Sequence, residues 1–280
     1  MNILILGSEG QIGKYLSEYL KKKYKIFSFD LINNNSEDLR IHENKKLKSL
    51  IKKSDFVFFL AFDVGGSKYL KDYQYSYKFL MNNISIMKNT FEQLAFYKKK
   101  FVFATSQMSN MGHSPYGILK KIGEEFTSSL DCISVKFWNV YGIENNPKKN
   151  HVITDFILNG LKYDFVKMET NGLEKRDFLF AEDCCIALEK IMLNFKKLRS
   201  KKIIDLHSGK FVSIRFLAKV ISKVFMRYGK KVRFVPKHSV TDNLQNNIMN
   251  KGDSFFFKYW KPKNSLDQGV QKVFKNYFRK

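Results

Sequence analysis

The sequence predicts an α/β fold in which helices cover both faces of a doubly wound parallel sheet. Strands and helices alternate through the first half of the chain, the strands are nearly continuous apolar runs, and the first strand leads through a glycine turn into a helix. Alternating strands and helices pair in parallel through right-handed crossovers. Strands that are apolar on both faces indicate a sheet buried on both sides.

The elements follow one another regularly up to about residue 143. In this half we predict strands at 2–6, 24–29, 55–62, 101–105 and 133–138 and helices at 12–20, 43–53, 72–97 and 114–130. Beyond that residue the alternation of strands and helices is less regular. We predict helices at 151–162, 181–195, 213–227 and 264–278 and strands at 203–206 and 232–235. We therefore predict one domain over 1–145 and a smaller α/β domain mainly over 146–280, with segments near 176–207 returning to the first.

Composition excludes several classes of protein. The 280 residues are 44% hydrophobic and 15% aromatic, which excludes a chain disordered throughout, and 4 Pro and 15 Gly are too few for a collagen-like or linker-rich protein. No apolar run approaches the roughly 18–20 residues that span a bilayer, so no membrane partner is expected. The first residues do not resemble a secretory signal, which predicts a cytoplasmic protein.

The chain is strongly basic, with 50 Lys and Arg against 26 Asp and Glu and a net charge of +24. The lysines occur in short runs where helices or loops should end, and they do not form one basic arm. Solvated surface is the main interpretation, attraction of a small anionic substrate is the second, and nucleic acid is the third. Nucleic acid is therefore not expected as a partner.

The chain contains three cysteines, Cys132, Cys184 and Cys185. Their odd number and adjacent pair suit neither a disulfide framework nor a zinc site. We predict buried, unreactive thiols and no metal.

A glycine-rich turn joins the first strand to the first helix. Gly7, Gly10 and Gly13 allow the backbone to approach a pyrophosphate at the positive end of that helix. Asp30 lies twenty residues beyond Gly10, where the second strand ends, so its carboxylate can bind an adenosine ribose and repel a 2′-phosphate. These features predict a Rossmann-like domain that prefers NAD to NADP. The alternative is a structural glycine turn beside a surface aspartate.

Three further residues suggest acid/base chemistry. Ser106 follows a buried strand, and Tyr116 and Lys120 lie one turn apart on the next predicted helix. A neighbouring ammonium lowers the pKa of a phenol, and a serine hydroxyl can orient the substrate oxygen. The Tyr-x-x-x-Lys spacing is common by chance, but the nucleotide-binding turn upstream favours a catalytic set.

Nine motifs in order along the chain resemble the extended short-chain dehydrogenase/reductase family, and within it the nucleotide-sugar epimerases, dehydratases and ketoreductases. They are Gly7-x-x-Gly10-x-x-Gly13, Asp30, the strand 55–61, Ser106, Tyr116-x-x-x-Lys120, Asn139-Val140-Tyr141-Gly142, Arg176-Asp177-Phe178, Trp260-Lys261-Pro262 and Ser265-Leu266. The resemblance covers nearly the whole chain. It implies that residues 1–145 form the NAD-binding domain and that the smaller domain binds the substrate.

The resemblance also implies roles for individual residues. The cofactor would be bound by Gly7, Gly10, Gln11, Ile12, Gly13, Asp30, Asp38, Leu39, Leu60, Ala61, Phe62, Tyr116 and Lys120. The substrate would be bound by Val64, Gly65, Ser106, Asn139 and Arg176, the last as a diphosphate ligand. Asn83 would support the site or serve as a polar core residue. Dimerisation would use the helix near 72–97 and the helix that carries Tyr116.

Departures from the family pattern narrow the chemistry. Gln107 and Met108 follow Ser106 where 4,6-dehydratases carry an acid, so dehydration is disfavoured. Val64-Gly65-Gly66 resembles GDP-fucose synthases and GDP-mannose 3,5-epimerases, but their acid/base cysteine has no match. The remaining reactions are C4 epimerisation, 4-keto reduction and oxidation of a sugar hydroxyl.

Two positions outside these motifs also bear on the site. A second diphosphate-binding arginine has no clear counterpart near residues 246–253, where Arg215, Arg233 or a lysine could substitute. His207 is interpreted as a packed residue at a strand end, with a catalytic role as the alternative.

The sequence thus predicts an enzyme of carbohydrate biosynthesis with NAD as cofactor and a nucleoside-diphosphate sugar as substrate. Hydride transfer would occur at C4, with Ser106, Tyr116 and Lys120 as the catalytic residues and a homodimer as the assembly. Two alternatives remain open. One is an NAD(P)H-dependent 4-keto nucleotide-sugar reductase resembling GDP-fucose synthase, and the other is a non-catalytic nucleotide-binding sensor.

Overall fold

The computed structural model describes residues 1–144, 146–240 and 251–279. Its strands, β1 to β11, are Asn2–Leu6, Lys25–Phe29, Phe56–Phe59, Phe101–Ser106, Ile133–Phe137, Asn139–Tyr141, Phe165–Lys167, Lys175–Phe180, Ile203–Leu206, Phe211–Ser213 and Arg233–Val235. Its helices, α1 to α10, are Gln11–Leu20, Lys45–Lys53, Ser67–Tyr73, Tyr77–Phe96, Pro115–Ser129, Val152–Lys162, Ala181–Leu193, Phe195–Leu198, Ile214–Arg227 and Leu266–Phe278.

The main sheet has six parallel strands in the order β2-β1-β3-β4-β5-β9. From β1 the chain winds first towards β2 and then back past β3 to β9, so the predicted doubly wound parallel sheet is confirmed. The four inner strands β1, β3, β4 and β5 are almost wholly buried, because helices pack on both faces. All carboxyl ends meet at one edge, where ligands bind in folds of this kind.

The other five strands form two smaller sheets. β8 pairs with β6 in parallel and with β10 in antiparallel orientation, while β7 pairs with β11. The sequence did not predict β6, β7, β8 and β10 as strands. β6, β7 and β10 are only three residues long, and β8 begins with the polar residues Lys175-Arg176-Asp177, so neither length nor periodicity indicates a strand.

Two elements differ from the prediction by more than two residues at one end. The helix predicted near 72–97 begins later, as α4 at Tyr77, and residues 72–73 are the end of α3, a separate helix that was not predicted. The Ser76 hydroxyl accepts a hydrogen bond from the N–H of Phe79 and so starts a new helix. The strand predicted at 55–62 ends at Phe59, which leaves Leu60 to Phe62 at the carboxyl edge of the sheet.

The apolar side chains form two cores. The first surrounds the six-stranded sheet and includes residues of α7 and β9, and the second lies among α6, α9, α10 and β8. All three cysteines are buried and unpaired, as predicted. Within the described ranges, no helix is both long and apolar enough to cross a bilayer.

Candidate active site

The turn between β1 and α1 is built on close backbone packing. Gly7 has a φ of +85°, and its N–H donates to the carbonyl of Phe29 at 2.9 Å. A Cβ atom on Gly7 would lie 2.7 Å from the nitrogen of Ala61, and one on Gly13 would lie 2.0 Å from the carbonyl oxygen of Gly7. No side chain fits at either position, so α1 begins directly against the ends of β1 and β3.

The start of α1 is suited to an anionic group. Gly10 precedes the helix and is exposed, and no acidic residue occupies the first turn. The side-chain nitrogen Nε2 of Gln11 and the hydroxyl of Ser8 are buried without a hydrogen-bond partner among the described residues. Helix amino termini present free N–H groups and a positive dipole end, so the turn fits a pyrophosphate.

Asp30 lies beside this turn, at the end of β2. Its carboxylate accepts the N–H of Glu9 at 2.9 Å and that of Ile32 at 3.0 Å. The carboxylate of Glu37 in turn accepts the N–H of Asp30 at 2.9 Å. Two carboxylates therefore lie together at the end of β2, beside the glycine turn.

Asp38 is held by its own neighbour. The Arg40 guanidinium donates to both carboxylate oxygens, with Nη2 2.6 Å from Oδ2. Burial favours the neutral acid, but the hydrogen bonds and charge of Arg40 outweigh it and keep the pKa of Asp38 below its ordinary value. Leu39 is buried and its carbonyl accepts the side-chain amide of Asn89, so both predicted adenine-side residues are fixed in place.

The segment after β3 forms the wall between the glycine turn and α5. The ring of Phe62 packs edge-on against Tyr116 with centroids 5.7 Å apart, and the Nζ of Lys120 lies 3.6 Å from the Phe62 centroid. Asn83 is fully buried and binds Asp63, the residue that follows Phe62. Its side-chain amide oxygen accepts the N–H of Asp63 at 2.7 Å, and its amide nitrogen donates to the Asp63 carbonyl at 3.1 Å. Asn83 therefore holds this wall in place.

Ser106, Tyr116 and Lys120 come together at the carboxyl edge of the sheet. Ser106 ends β4, where its hydroxyl accepts the N–H of Met108 at 3.2 Å, and Tyr116 is buried in the first turn of α5. Burial raises the pKa of Tyr116 to about 12, and the side chain of Ser106 acts in the opposite direction. The Nζ of Lys120 donates to the carbonyl of Ala104 at 2.7 Å and lies 5.8 Å from the Tyr116 centroid.

The charge of Lys120 is sensitive to its surroundings. Desolvation holds the pKa of this buried lysine well below its ordinary value, and the carboxylate of Glu124, one helical turn away, acts against that shift. The low polarity that raises the pKa of Tyr116 thus also disfavours the ammonium beside it. Burial therefore favours the neutral form of both side chains.

Sequence reasoning missed a buried polar cluster behind Ser106. The Glu124 carboxylate accepts hydrogen bonds from Thr105 at 2.7 Å and Ser109 at 2.5 Å, and the Nζ of Lys136 lies 3.6 Å from it. These contacts fix the segment that follows Ser106. The spacing of Glu124, four residues after Lys120 on one helix face, was a usable signal.

Gln74 was also missed. It is buried between α3 and α4, and its side-chain oxygen accepts the Ser114 hydroxyl at 2.8 Å. Ser114 caps α5 by accepting the N–H of Gly117. Gln74 thus positions the helix that carries Tyr116, across a separation of about forty residues that no local pattern reveals.

The predicted substrate-side residues lie on two strands and one turn. Asn139 in β6 donates to the carbonyl of Asp177 in β8 at 3.2 Å, and the neighbouring Arg176 donates to the carbonyl of Lys175. Burial lowers the pKa of Arg176. Val64 is half-buried, and Gly65 is so close to Tyr69 that a Cβ atom would lie 2.8 Å from its Cβ.

Arg215 and Arg233, the two arginines considered as a second diphosphate ligand, lie in different surroundings. Arg215 donates to the carbonyl of Asn171 at 2.7 Å, and Arg233 is exposed in β11. Positions 246–250 lie outside the described residues. His207 packs between Trp138 and Phe257, with centroids 5.8 and 4.7 Å away, as the interpretation of a packed residue predicted.

Comparison with known proteins identifies the family. A model of the NAD-dependent epimerase/dehydratase family matches residues 3–206, a span that contains the glycine turn, Ser106, Tyr116, Lys120 and Arg176. The chain belongs to this family. The resemblance seen in the sequence is therefore confirmed.

Solved structures share the fold over the whole chain. An epimerase from Methanothermobacter thermautotrophicus has a TM-score of 0.83 at 18% identity and covers 99% of this chain and 92% of its own. A GDP-6-OMe-4-keto-L-xylo-heptose reductase from C. jejuni has a TM-score of 0.81 at 19% sequence identity, and the match covers 99% of this chain and 97% of the reductase. A UDP-glucose 4-epimerase from Thermotoga maritima, solved with UDP-glucose, has a TM-score of 0.78 at 19% sequence identity, and the match covers 100% of this chain and 99% of the epimerase.

Proposed function

We propose that this protein is an NAD-dependent oxidoreductase or epimerase that acts at C4 of the sugar in a nucleoside-diphosphate sugar. The observation that carries the proposal is the Tyr116–Ser106 side-chain pair, with Lys120 one turn away, at the same sheet edge as the glycine turn. Residues 1–145 would bind the cofactor, with a return of the chain near 176–207. Residues 146–280 would mainly bind the substrate.

Ser106, Tyr116 and Lys120 would each have a different role in the reaction. Ser106 would orient the sugar oxygen, and Tyr116 would take up or release its proton. Bound NAD would exchange hydride with the sugar carbon, and its positively charged ring would favour the phenolate of Tyr116. Lys120 would bind the cofactor's ribose and, when protonated, lower the pKa of Tyr116 further.

The substrate's diphosphate would be held beside this centre. Asn139 and Arg176 lie on the adjacent strands β6 and β8, and an arginine presents a planar fork of donors that matches phosphate oxygens. Val64 and Gly65 would face the sugar from the turn after β3. Burial lowers the pKa of Arg176, and a bound diphosphate would favour its charged form.

A test of this proposal offers the purified protein a panel of UDP-, GDP- and dTDP-sugars with NAD and follows the products by NMR. We expect one sugar to equilibrate with its C4 epimer without net accumulation of NADH. A substrate carrying deuterium at C4 should retain the label, because the same hydride returns to the carbon. Loss of that deuterium to solvent, or no change in any sugar, would contradict the proposal.

A reductase that uses NAD(P)H on a 4-keto nucleotide sugar is the second candidate. It is favoured by the turn Val64-Gly65-Gly66, which resembles GDP-fucose synthases and is packed tightly, since a Cβ atom on Gly66 would lie 2.2 Å from the carbonyl oxygen of Asn150. A reductase would consume added NADH or NADPH in proportion to the keto sugar reduced. An epimerase would show no such stoichiometric consumption.

Asp30 provides a prediction about cofactor choice. In the Asp30→Ser variant the ratio of NAD affinity to NADP affinity should fall at least about tenfold, because a carboxylate that repels the 2′-phosphate is removed. Calorimetric titration with both cofactors measures the ratio. Asp72→Ser, a change at an exposed aspartate of α3, is the control and should leave it unchanged. An unaltered ratio in Asp30→Ser would contradict the assigned role.

We also propose a homodimer formed through α4 and α5. Exposed apolar side chains occupy one stripe on each helix at helical spacing: Tyr77, Met81 and Ile84 on α4 and Ile118, Ile122 and Phe126 on α5. Adjacent apolar stripes of this kind are typical of helix packing between subunits.

The combined variant Ile84→Glu/Ile122→Glu should be monomeric in analytical ultracentrifugation, because it places charges in the proposed interface. Phe216→Glu, which changes an apolar residue of similar exposure on α9, should remain dimeric. A monomeric native protein, or a dimer that survives the double substitution, would contradict the proposed interface.

A further inference from the structure

The charge of this protein is divided between the two edges of the six-stranded sheet. The connections that enter β2, β3, β4, β5 and β9 contain eleven Lys or Arg and two Asp or Glu. The connections that leave β1, β2, β3, β4, β5 and β9 contain two Lys or Arg and six Asp or Glu. Composition determines how many lysines a chain has, but it does not place them at one edge.

All eleven of these positive charges lie in three connections, 21–24, 97–100 and 194–202, which we call the basic edge. They contain Lys21, Lys22, Lys23, Lys98, Lys99, Lys100, Lys196, Lys197, Arg199, Lys201 and Lys202. Lys25, Lys52 and Lys53 extend the same edge. The amino ends of parallel strands lie side by side, so these connections share one surface.

Contacts between connections make this surface continuous. Lys99 donates through Nζ to the carbonyls of Lys52 and Ser54, which joins the approaches to β4 and β3. Arg199 and Lys202 both bind Asp131, which joins the approaches to β9 and β5. The ring of Phe195 in α8 packs against Phe56, the first residue of β3, at 5.5 Å.

Much of the charge is uncompensated. Ion pairs engage Lys21, Lys23, Arg199, Lys201 and Lys202. Among the described residues, Lys22, Lys98, Lys100, Lys196 and Lys197 are exposed and form no ion pair. A surface of this kind attracts anions, and it faces away from the edge that carries Tyr116, so it does not serve to bring substrate to the site.

Two large apolar side chains project beside the lysines. Phe96 is 77% exposed just before Lys98 to Lys100, and Leu193 is 62% exposed just before Lys196 and Lys197. They end α4, which packs beside α5, and α7, which packs beside α1. Exposed Phe and Leu among lysines are typical of surfaces that lie in the headgroup region of an anionic bilayer. Leu193 cannot stack on a base, so single-stranded RNA fits this surface less well.

We infer that the basic edge is a docking surface for an anionic membrane. Phe96 and Leu193 enter the interface and the unpaired lysines bind lipid phosphates, while the carboxyl edge with Tyr116 faces the solvent. The absence of a long apolar run excludes only a spanning segment, since peripheral binding of this kind leaves no such run in the sequence.

Sedimentation of the full chain with phospholipid vesicles tests the inference. The protein should pellet with vesicles in which about a third of the lipid is phosphatidylglycerol, should not pellet with pure phosphatidylcholine, and should be released by about 0.5 M NaCl. Reversal of Lys98, Lys100, Lys196 and Lys197 to Glu should weaken binding at least about tenfold. Phe96→Ser/Leu193→Ser should weaken it at unchanged net charge.

The matched control reverses four exposed lysines of the carboxyl-terminal half, Lys167, Lys219, Lys223 and Lys231. This variant has the same net charge as the first and should retain most of the vesicle binding. Equal loss in both variants would show that only total charge matters and would overturn the inference. Failure to bind anionic vesicles, or binding to single-stranded RNA in their place, would overturn it as well.

Discussion

Replacement of Tyr116 by Phe should reduce turnover by about 10²–10⁴-fold, because acid/base catalysis by one positioned side chain contributes about that much. The substitution removes only the hydroxyl, while the ring keeps its contact with Phe62. Cofactor affinity should therefore change little. Rates on the nucleotide sugar found in the product screen, together with an NAD titration, measure both quantities.

A matched substitution separates this role from a general effect of losing a phenol. Tyr75→Phe removes a hydroxyl from an exposed tyrosine between α3 and α4 and should leave turnover unchanged. Turnover by Tyr116→Phe at the wild-type rate would exclude Tyr116 as the acid/base. If the wild-type protein binds NAD but changes no nucleotide sugar, the sensor alternative would replace the enzyme.

Replacement of Gly13 by Val should greatly weaken cofactor binding. A Cβ atom at this position would lie 2.0 Å from the carbonyl oxygen of Gly7 and 2.9 Å from the Cα of Ser8, so the turn and α1 must move apart. That movement displaces the N–H groups that would bind the pyrophosphate. We expect the affinity for NAD to fall at least about a hundredfold, which is about 2.7 kcal/mol.

Gly112→Val is the control for this substitution. A Cβ atom on Gly112 meets nothing within 4 Å, and the residue lies in the loop before α5. It should bind NAD as the wild type does. Circular dichroism of both variants checks that the sheet remains folded, and NAD binding by a folded Gly13→Val at wild-type affinity would contradict the assigned turn.

The order of elements in the main sheet could be predicted because its strands are buried on both faces and therefore read as apolar runs. Helix α4 could not be separated from α3, because the sequence from residue 72 to 97 contains neither glycine nor proline. Only the cap formed by Ser76 marks the new start. β8 was missed because its first half is polar.

For the candidate site, the sequence predicted the residues with local patterns and missed those that depend on tertiary contacts. Gly7, Tyr116 and Lys120 belong to recognisable spacings. The contact of Gln74 with Ser114 joins two elements forty positions apart, and the pairing of Asp38 with Arg40 depends on the conformation of the loop. The basic edge likewise emerges only when the topology brings separate lysine runs together.

The most direct test of the central claim is to denature the freshly purified protein, identify any released nucleotide by mass and absorbance, and titrate the native protein with NAD, NADH, NADP and NADPH. The account predicts either co-purified NAD or NADH, as an epimerase that recycles its cofactor would carry, or saturable binding that favours NAD. A protein that releases no nucleotide and binds none of the four would contradict the account.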